Sequence, residues 1–208
     1  MNLMHTSRRS VVAALAAAGL LAVAAACSPV TVEQPSPPPA PVSQPNELNT
    51  DSLSLLSQST TAPVRLVMPD LSIDMSVEPH GLDDVGEMSL PVSPFTAGWY
   101  AYGSAPDSVQ GSTVIAAHVD SLPEGKGPFS RLRDAVAGMT ITVIDELGIE
   151  HVYRVTEVER IAKAEVPLNR VFTGVGEPHL VLVTCGGEWN SQASSYRDNY
   201  IVTAEKVT

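Results

Sequence analysis

The sequence predicts an all-β domain: an eight-stranded, closed or nearly closed β-barrel with one or two short helices. Three observations lead there. Eight short runs rich in Val, Ile, Thr and Tyr recur after Ala62, each bounded by Gly, Pro, Asp or Ser. Helix signals are confined to Phe129–Ala135 and to a turn near Leu168–Phe172. Two cysteines in 208 residues cannot build a disulfide framework, so the fold must rest on an apolar core, which a 44% apolar composition can supply.

Taken in chain order, residues 1–27 read as an export signal: Arg8 and Arg9, an apolar run from Val11 to Ala26, then Cys27. The run is shorter than the roughly 20 residues a spanning helix needs, which favours cleavage. Ala24-Ala25-Ala26-Cys27 resembles a bacterial lipobox, in which the cysteine becomes the lipidated N-terminus; the usual pattern has Leu where Ala24 stands. Ser7-Arg8-Arg9 resembles a twin-arginine signal. Cys27 as the lipidation site and an uncleaved signal anchor both remain open, and each ends on the outer face of the cell membrane. Cleavage removes Arg8 and Arg9 from the 12 basic residues and no acid, leaving 10 against 23, a net charge of −13. Attraction to anionic lipid cannot hold such a chain, so a covalent lipid or a signal anchor must.

Residues 28–61 hold seven prolines, including Pro37-Pro38-Pro39, and no Lys, Arg or aromatic residue. They cannot bury enough apolar surface to offset ordering entropy and read as a disordered stalk. Between Pro29 and Pro45 a polyproline II path would span roughly 50 Å at about 3.1 Å per residue. The domain follows over 62–208. Its apolar or alternating runs are Val64–Met68, Leu71–Val77, Thr96–Tyr102, Thr113–Val119, Met139–Ile144, Glu150–Val158, Leu180–Thr184 and Asn199–Ala204. No internal repeat is present.

Charge excludes one class of function. A net −11 with no basic stripe cannot neutralise phosphates, so no nucleic acid is expected as a partner. Candidate chemistry lies at strand ends. Cys185 follows the run Leu180–Thr184 and precedes Gly186-Gly187, which lets another backbone approach the thiol. Such a thiol suits a nucleophile attacking a peptide; a buried inert cysteine is the alternative. His118 ends the run that starts at Thr113, where an imidazole can give a proton to a leaving amine or serve as a hydrogen-bonded structural residue. Asp120 could orient His118 or belong to the following turn. If Leu180–Thr184 pairs antiparallel with Asn199–Ala204, Arg197 enters its strand beside Cys185, across a loop from Gly186 to Tyr196, and could hold an oxyanion. Arg131, Arg133 and Arg170 are its substitutes. His80, His151 and His179 have no metal-ligand spacing, and no metal or other cofactor is expected.

Three ordered motifs, Ala117-His118-Val119-Asp120-Ser121, Leu182-Val183-Thr184-Cys185-Gly186-Gly187 and Tyr196-Arg197-Asp198-Asn199, resemble those of the bacterial sortases. The resemblance runs from about Pro63 to Glu205, and the Cys-Gly-Gly and His-Val-Asp-Ser forms are most similar to class F. Family members usually have Gly where Ala117 stands, and usually a membrane-spanning start. The resemblance implies a sortase-like barrel acting as a monomeric cysteine transpeptidase. Cys185 would attack a Leu-Pro-x-Thr-Gly-like sorting signal of a surface protein after Thr, His118 would protonate the departing amine, and Arg197 would hold the oxyanion. An amine acceptor such as that of a peptidoglycan precursor would then resolve the thioester. Activity would be bell-shaped in pH. The loop from Ile161 to His179 offers Val166-Pro167-Leu168 and Val171-Phe172, either as a wall for the Leu-Pro segment or as a cap on the barrel. The competing function is a catalytically silent surface lipoprotein that only binds peptide or wall polymer. A transpeptidase acting on D-amino acids would need a Ser-His-Gly-Cys type of motif, which is absent.

Overall fold

The computed structural model describes residues 60–207. The export signal with Cys27, and the stalk up to residue 59, lie outside the described residues. Eight strands close into a barrel: β1 (Pro63–Met68), β2 (Ile73–His80), β3 (Thr96–Tyr100), β4 (Ser112–Ala117), β7 (Thr140–Asp145), β8 (Glu150–Ala162), β9 (His179–Asn190) and β10 (Ser195–Lys206). Their order around the wall is β1-β2-β3-β4-β9-β10-β8-β7. A hairpin of β5 (Asp120–Ser121) and β6 (Gly125–Lys126) stands apart from it. The β2–β3 and β4–β9 neighbours are parallel and all others in the wall antiparallel.

The expected eight-stranded all-β barrel is what forms. Period-2 alternation explains why: in β2 the apolar Ile73, Met75 and Val77 are buried while Asp74, Ser76 and Glu78 face water. Helical structure is short. A 3-10 segment covers Pro128–Asp134 with Phe129 and Leu132 buried, and α1 is the four residues Leu168–Val171. Among the described residues no helix is long and apolar enough to cross a membrane.

Three strands outrun the sequence reading. β8 continues to Ala162, and β9 and β10 continue through most of the expected loop, leaving a connection of only Ser191 to Ser194. Backbone ladders need no apolar side chains, and these extensions carry polar residues that a hydrophobic pattern does not flag. Conversely, β3 stops at Tyr100 because a turn follows, closed by the Gly103 amide on the Tyr100 carbonyl at 3.0 Å.

Apolar residues pack on both faces of the β4–β9–β10 wall. Leu180, Leu182, Val202 and Ala204 join the barrel interior. Val114, Val181 and Ile201 form a second cluster with Val171, packed by Tyr100, Ile161, Val166, Phe172 and Val183. Hence every residue of β4 is buried, the signature of a strand covered on both sides.

Candidate active site

Cys185 sits on β9 with Asn199 of β10 directly opposite, and Asn199 faces Ile161 of β8 on its other side. It continues the parity of Val181 and Val183, so it belongs to the outer face of the wall. His118 arrives by a different route. β4 and β9 are parallel neighbours whose last registered pair is Ala117 with Thr184. His118 and Cys185 are therefore the next residues on each strand, delivered to the same rim. A buried hydrogen bond fixes that rim: Thr184 Oγ1 donates to the Ala117 carbonyl at 2.8 Å. His118 and Cys185 line one cavity of about 560 Å³, together with Asp120, Trp189 and Tyr196. Cys185 is a free, half-buried thiol.

On the other side of Cys185 lies an apolar groove of about 660 Å³. Its floor is Val114, Ala116 and Val183, and its far wall is Val166, Leu168, Val171 and Phe172. Phe172 is held edge-on against Tyr100, their ring centroids 5.0 Å apart at 75°. The segment after Ile161 thus lines a groove ending at the thiol as well as covering the barrel.

The antiparallel β9–β10 pairing expected from the sequence is present. Arg197, however, stands at a register shift, where Tyr196 pairs with Trp189 and Asp198 with Gly186, so that Gly187 and Glu188 together oppose it. Its Nη1 lies 3.7 Å from Glu188 Oε2, the two side chains 62% and 79% exposed. Arg197 is on the wall of neither cavity. Nor are its substitutes. Arg131 donates to the Ser72 carbonyl at 2.7 Å, Arg133 pairs with Asp134 at 3.5 Å, and Arg170 pairs with Glu157 and Glu159.

The two glycines after Cys185 make room for side chains rather than for another backbone. A Cβ on Gly186 would fall 2.4 Å from the Tyr200 ring, and one on Gly187 2.2 Å from Asp198 Oδ2. Gly187 also has φ +77°, a conformation that L side chains rarely adopt. Asp198 is held there by Arg160, whose Nε donates to it at 2.6 Å.

Asp120 binds the far side of the cavity instead of orienting the imidazole. Tyr196 Oη donates to Asp120 Oδ2 at 2.5 Å, tying the β5–β6 hairpin to β10. The hydrogen bond to Asp120, then burial, push the Tyr196 hydroxyl up to about 12, so it remains a neutral donor. The other histidines have local partners: His80 with Ser89 at 3.1 Å, His151 with Asp145 at 2.9 Å and His179 with the Glu177 carbonyl at 2.8 Å. Among the described residues no group of three or more His, Cys, Asp or Glu side chains is arranged to hold a metal ion.

Sequence reasoning missed Tyr196 and Trp189 as cavity walls, and Lys163, which lines both cavities. Extending β8 beyond Val158 along the β10 ladder is the signal that would have found Lys163.

A sortase domain model matches residues 66–207. Among solved structures the chain is similar to sortase C-1 from Actinomyces oris, at 16% identity over 69% of this chain and 73% of that one, with a TM-score of 0.53. It is similar also to a lid mutant of Streptococcus agalactiae sortase C1, at 16% identity over 72% and 71%, TM-score 0.52. A Clostridium perfringens sortase D5 transpeptidase matches at 14% identity over 78% and 91%, TM-score 0.53. At such identities the likeness speaks for the fold. A search of curated proteins returns no match. With the domain model spanning nearly the whole described barrel, the chain belongs to the sortase family of cysteine transpeptidases.

Proposed function

We propose that the chain is a class F sortase that cleaves a Leu-Pro-x-Thr-Gly-like sorting signal between Thr and Gly and transfers the acyl part to an amine. Cys185 Sγ attacks the Thr carbonyl carbon, forming the carbon–sulfur bond. The carbon–nitrogen bond breaks as His118 gives its proton to the glycine nitrogen. An amine acceptor, such as that of a peptidoglycan precursor, then attacks the thioester, gives up a proton to the imidazole and releases the thiolate, restoring the starting pair. Two acyl transfers replace one difficult amide exchange.

The observation that carries this reading is the delivery of His118 and Cys185 to one rim by parallel neighbours, with an apolar groove running up to the thiol. The groove suits a Leu-Pro segment, and the cavity beyond the thiol suits the departing strand and the incoming amine. Arg197 serves the oxyanion by leaving Glu188. An exposed pair of this kind is worth about 0–1 kcal/mol, less than an oxyanion donor gains in a desolvated site. The class F reading rests on His118-Val119-Asp120-Ser121 and Cys185-Gly186-Gly187. The enzyme works as a monomer on the outer face of the cell membrane, held through Cys27 or an uncleaved signal and carried out on the Pro-rich stalk.

The test is mass spectrometry of the full-length chain after exposure to pentapeptides of the Leu-Pro-x-Thr-Gly type, with and without an added amine. A thioester on Cys185, absent from Cys185→Ala and discharged by the amine, is the expected result. Binding of peptide without any Cys185-dependent acyl enzyme would leave a peptide-binding lipoprotein.

A further inference from the structure

The groove and the polar cavity meet at the thiol, and among the described residues only two, Cys185 and Lys163, belong to the walls of both. Lys163 is the first residue beyond β8. It opens the 3-10 turn that follows Ala162, the residue paired with Asp198, so that Lys163 and Arg197 each adjoin the last pair of the β8–β10 ladder. Two cations thus stand next to the end of that ladder. Arg197 is turned to Glu188, while Lys163 faces both cavities.

The Lys163 ammonium donates to Ser195 Oγ at 2.6 Å. An ammonium has three donors and no acceptor, so two remain for a ligand. Among the described residues no carboxylate pairs with it. The other charged or titratable groups on the two walls, besides Cys185, are Glu87 and Tyr100 in the groove, and His118, Asp120 and Tyr196 in the polar cavity, where Asp120 is occupied by Tyr196. A ligand with carbonyl oxygens is therefore what this cation is free to bind.

We propose that Lys163 is a substrate-binding residue, whose ammonium takes the peptide's carbonyl oxygens beside the scissile bond as the chain passes from the groove over Cys185 into the polar cavity. A peptide threading both spaces must cross the one place walled by the thiol and the ammonium together. The extended backbone presents a carbonyl at each residue there, and a charged donor holds it more strongly than a neutral one. No proton moves; the ammonium only holds oxygen. The assignment rests on the transpeptidase reading, and it adds a cation that none of the three sortase-like motifs contains.

The experiment is steady-state transpeptidation by the full-length chain with a labelled Leu-Pro-x-Thr-Gly peptide and an amine. Wild type is compared with Lys163→Met and Lys163→Arg, with thermal unfolding recorded for each. Lys163→Met should lower kcat/KM at least tenfold, mostly through KM, with an unchanged melting midpoint because the side chain is exposed. Lys163→Arg should return to within about threefold of wild type. Lys163→Met within twofold of wild type would overturn the assignment. So would an arginine variant no better than the methionine one, since the positive charge would then not be what the peptide needs. A wild-type chain that forms no thioester with any peptide fails in the reference arm, removing the transpeptidase reading and this assignment with it.

Discussion

Thr184→Val isolates the side-chain hydrogen bond that reinforces the backbone ladder between the histidine strand and the cysteine strand at the rim. The hydroxyl donates to the Ala117 carbonyl at 2.8 Å, Thr184 is 3% exposed and Ala117 1% exposed, so water cannot replace the donor. Valine keeps the shape and the β-branch but leaves the carbonyl with one partner fewer. A buried polar group stripped of its partner costs about 1–3 kcal/mol. For a domain of this size that lowers the melting midpoint by roughly 3 to 9 °C. The same bond sits one residue before His118 and one before Cys185, so its loss lets the two groups drift apart. A displacement near 1 Å can cost up to about a hundredfold in rate. We expect thioester formation to slow at least tenfold at a temperature where the variant remains folded. The assay is a stopped reaction with excess peptide, read by mass, beside a thermal melt. A melt lowered as calculated with an unchanged acylation rate would refute the positioning argument.

Three other outcomes follow from the geometry. Gly187→Ala combines a strained φ with a Cβ driven into the carboxylate that Arg160 holds, and should cost about 2–4 kcal/mol in urea unfolding. Phe172→Ala removes part of the groove wall and the edge contact to Tyr100; KM for the peptide should rise roughly tenfold, about 1.4 kcal/mol, with kcat little changed, and an unaltered KM would assign this segment to covering the barrel alone. Burial pushes the Asp145 carboxyl up, but hydrogen bonds from His151 and from the Ile149 and Leu147 amides outweigh it and hold it below the usual carboxylate range. A depressed folded value contributes stability that is complete above the unfolded pKa near 4 and drains away as pH falls through the folded value. Asp145→Asn should therefore destabilise the domain by about 2 kcal/mol at neutral pH and converge with wild type as the pH falls through the range in which the folded carboxyl is protonated, in denaturant titrations down the acid limb.

The eight strands were legible because each has one or two faces against apolar neighbours, and that burial writes itself into residue type at period 2. β4 is the plainest case: Val114, Ile115, Ala116 and Ala117 run without a polar break because both faces are covered. His118 was legible as a strand end; Cys185 was read as one too, but β9 carries on through it to Asn190. The resemblance joined their roles, yet nothing in either run says that β4 and β9 lie side by side and parallel, which only the structure shows. The far halves of β8, β9 and β10 escaped because ladder hydrogen bonds belong to the backbone. The bulge at Gly187 and Glu188 escaped for the same reason, and with it the orientation of Arg197. His151 and Asp145 show the converse limit. Their buried pairing spans a hairpin turn, and the hydrophobic pattern carries no record of it.

The parallel pairing also explains how distant segments reach one rim. In an antiparallel hairpin the first strand ends where the second begins, so two strand-end residues fall at opposite edges. β4 and β9 instead run the same way, so that β4 ends level with Thr184 and Cys185 follows at the next step of β9, and everything from His118 to Pro178 is the crossover that makes this possible. That crossover holds the β5–β6 hairpin, two barrel strands and the groove wall. Asp120 of the hairpin reaches Tyr196, and Val166 to Phe172 cover the outer face of β4 and β9. The price is a wall built from contacts far apart in sequence, which slows folding. The return is that the segments inserted between histidine and cysteine supply part of each cavity wall without entering either strand. They can therefore change length and chemistry while the Ala117 to Thr184 register, and the two groups that follow it, stay fixed.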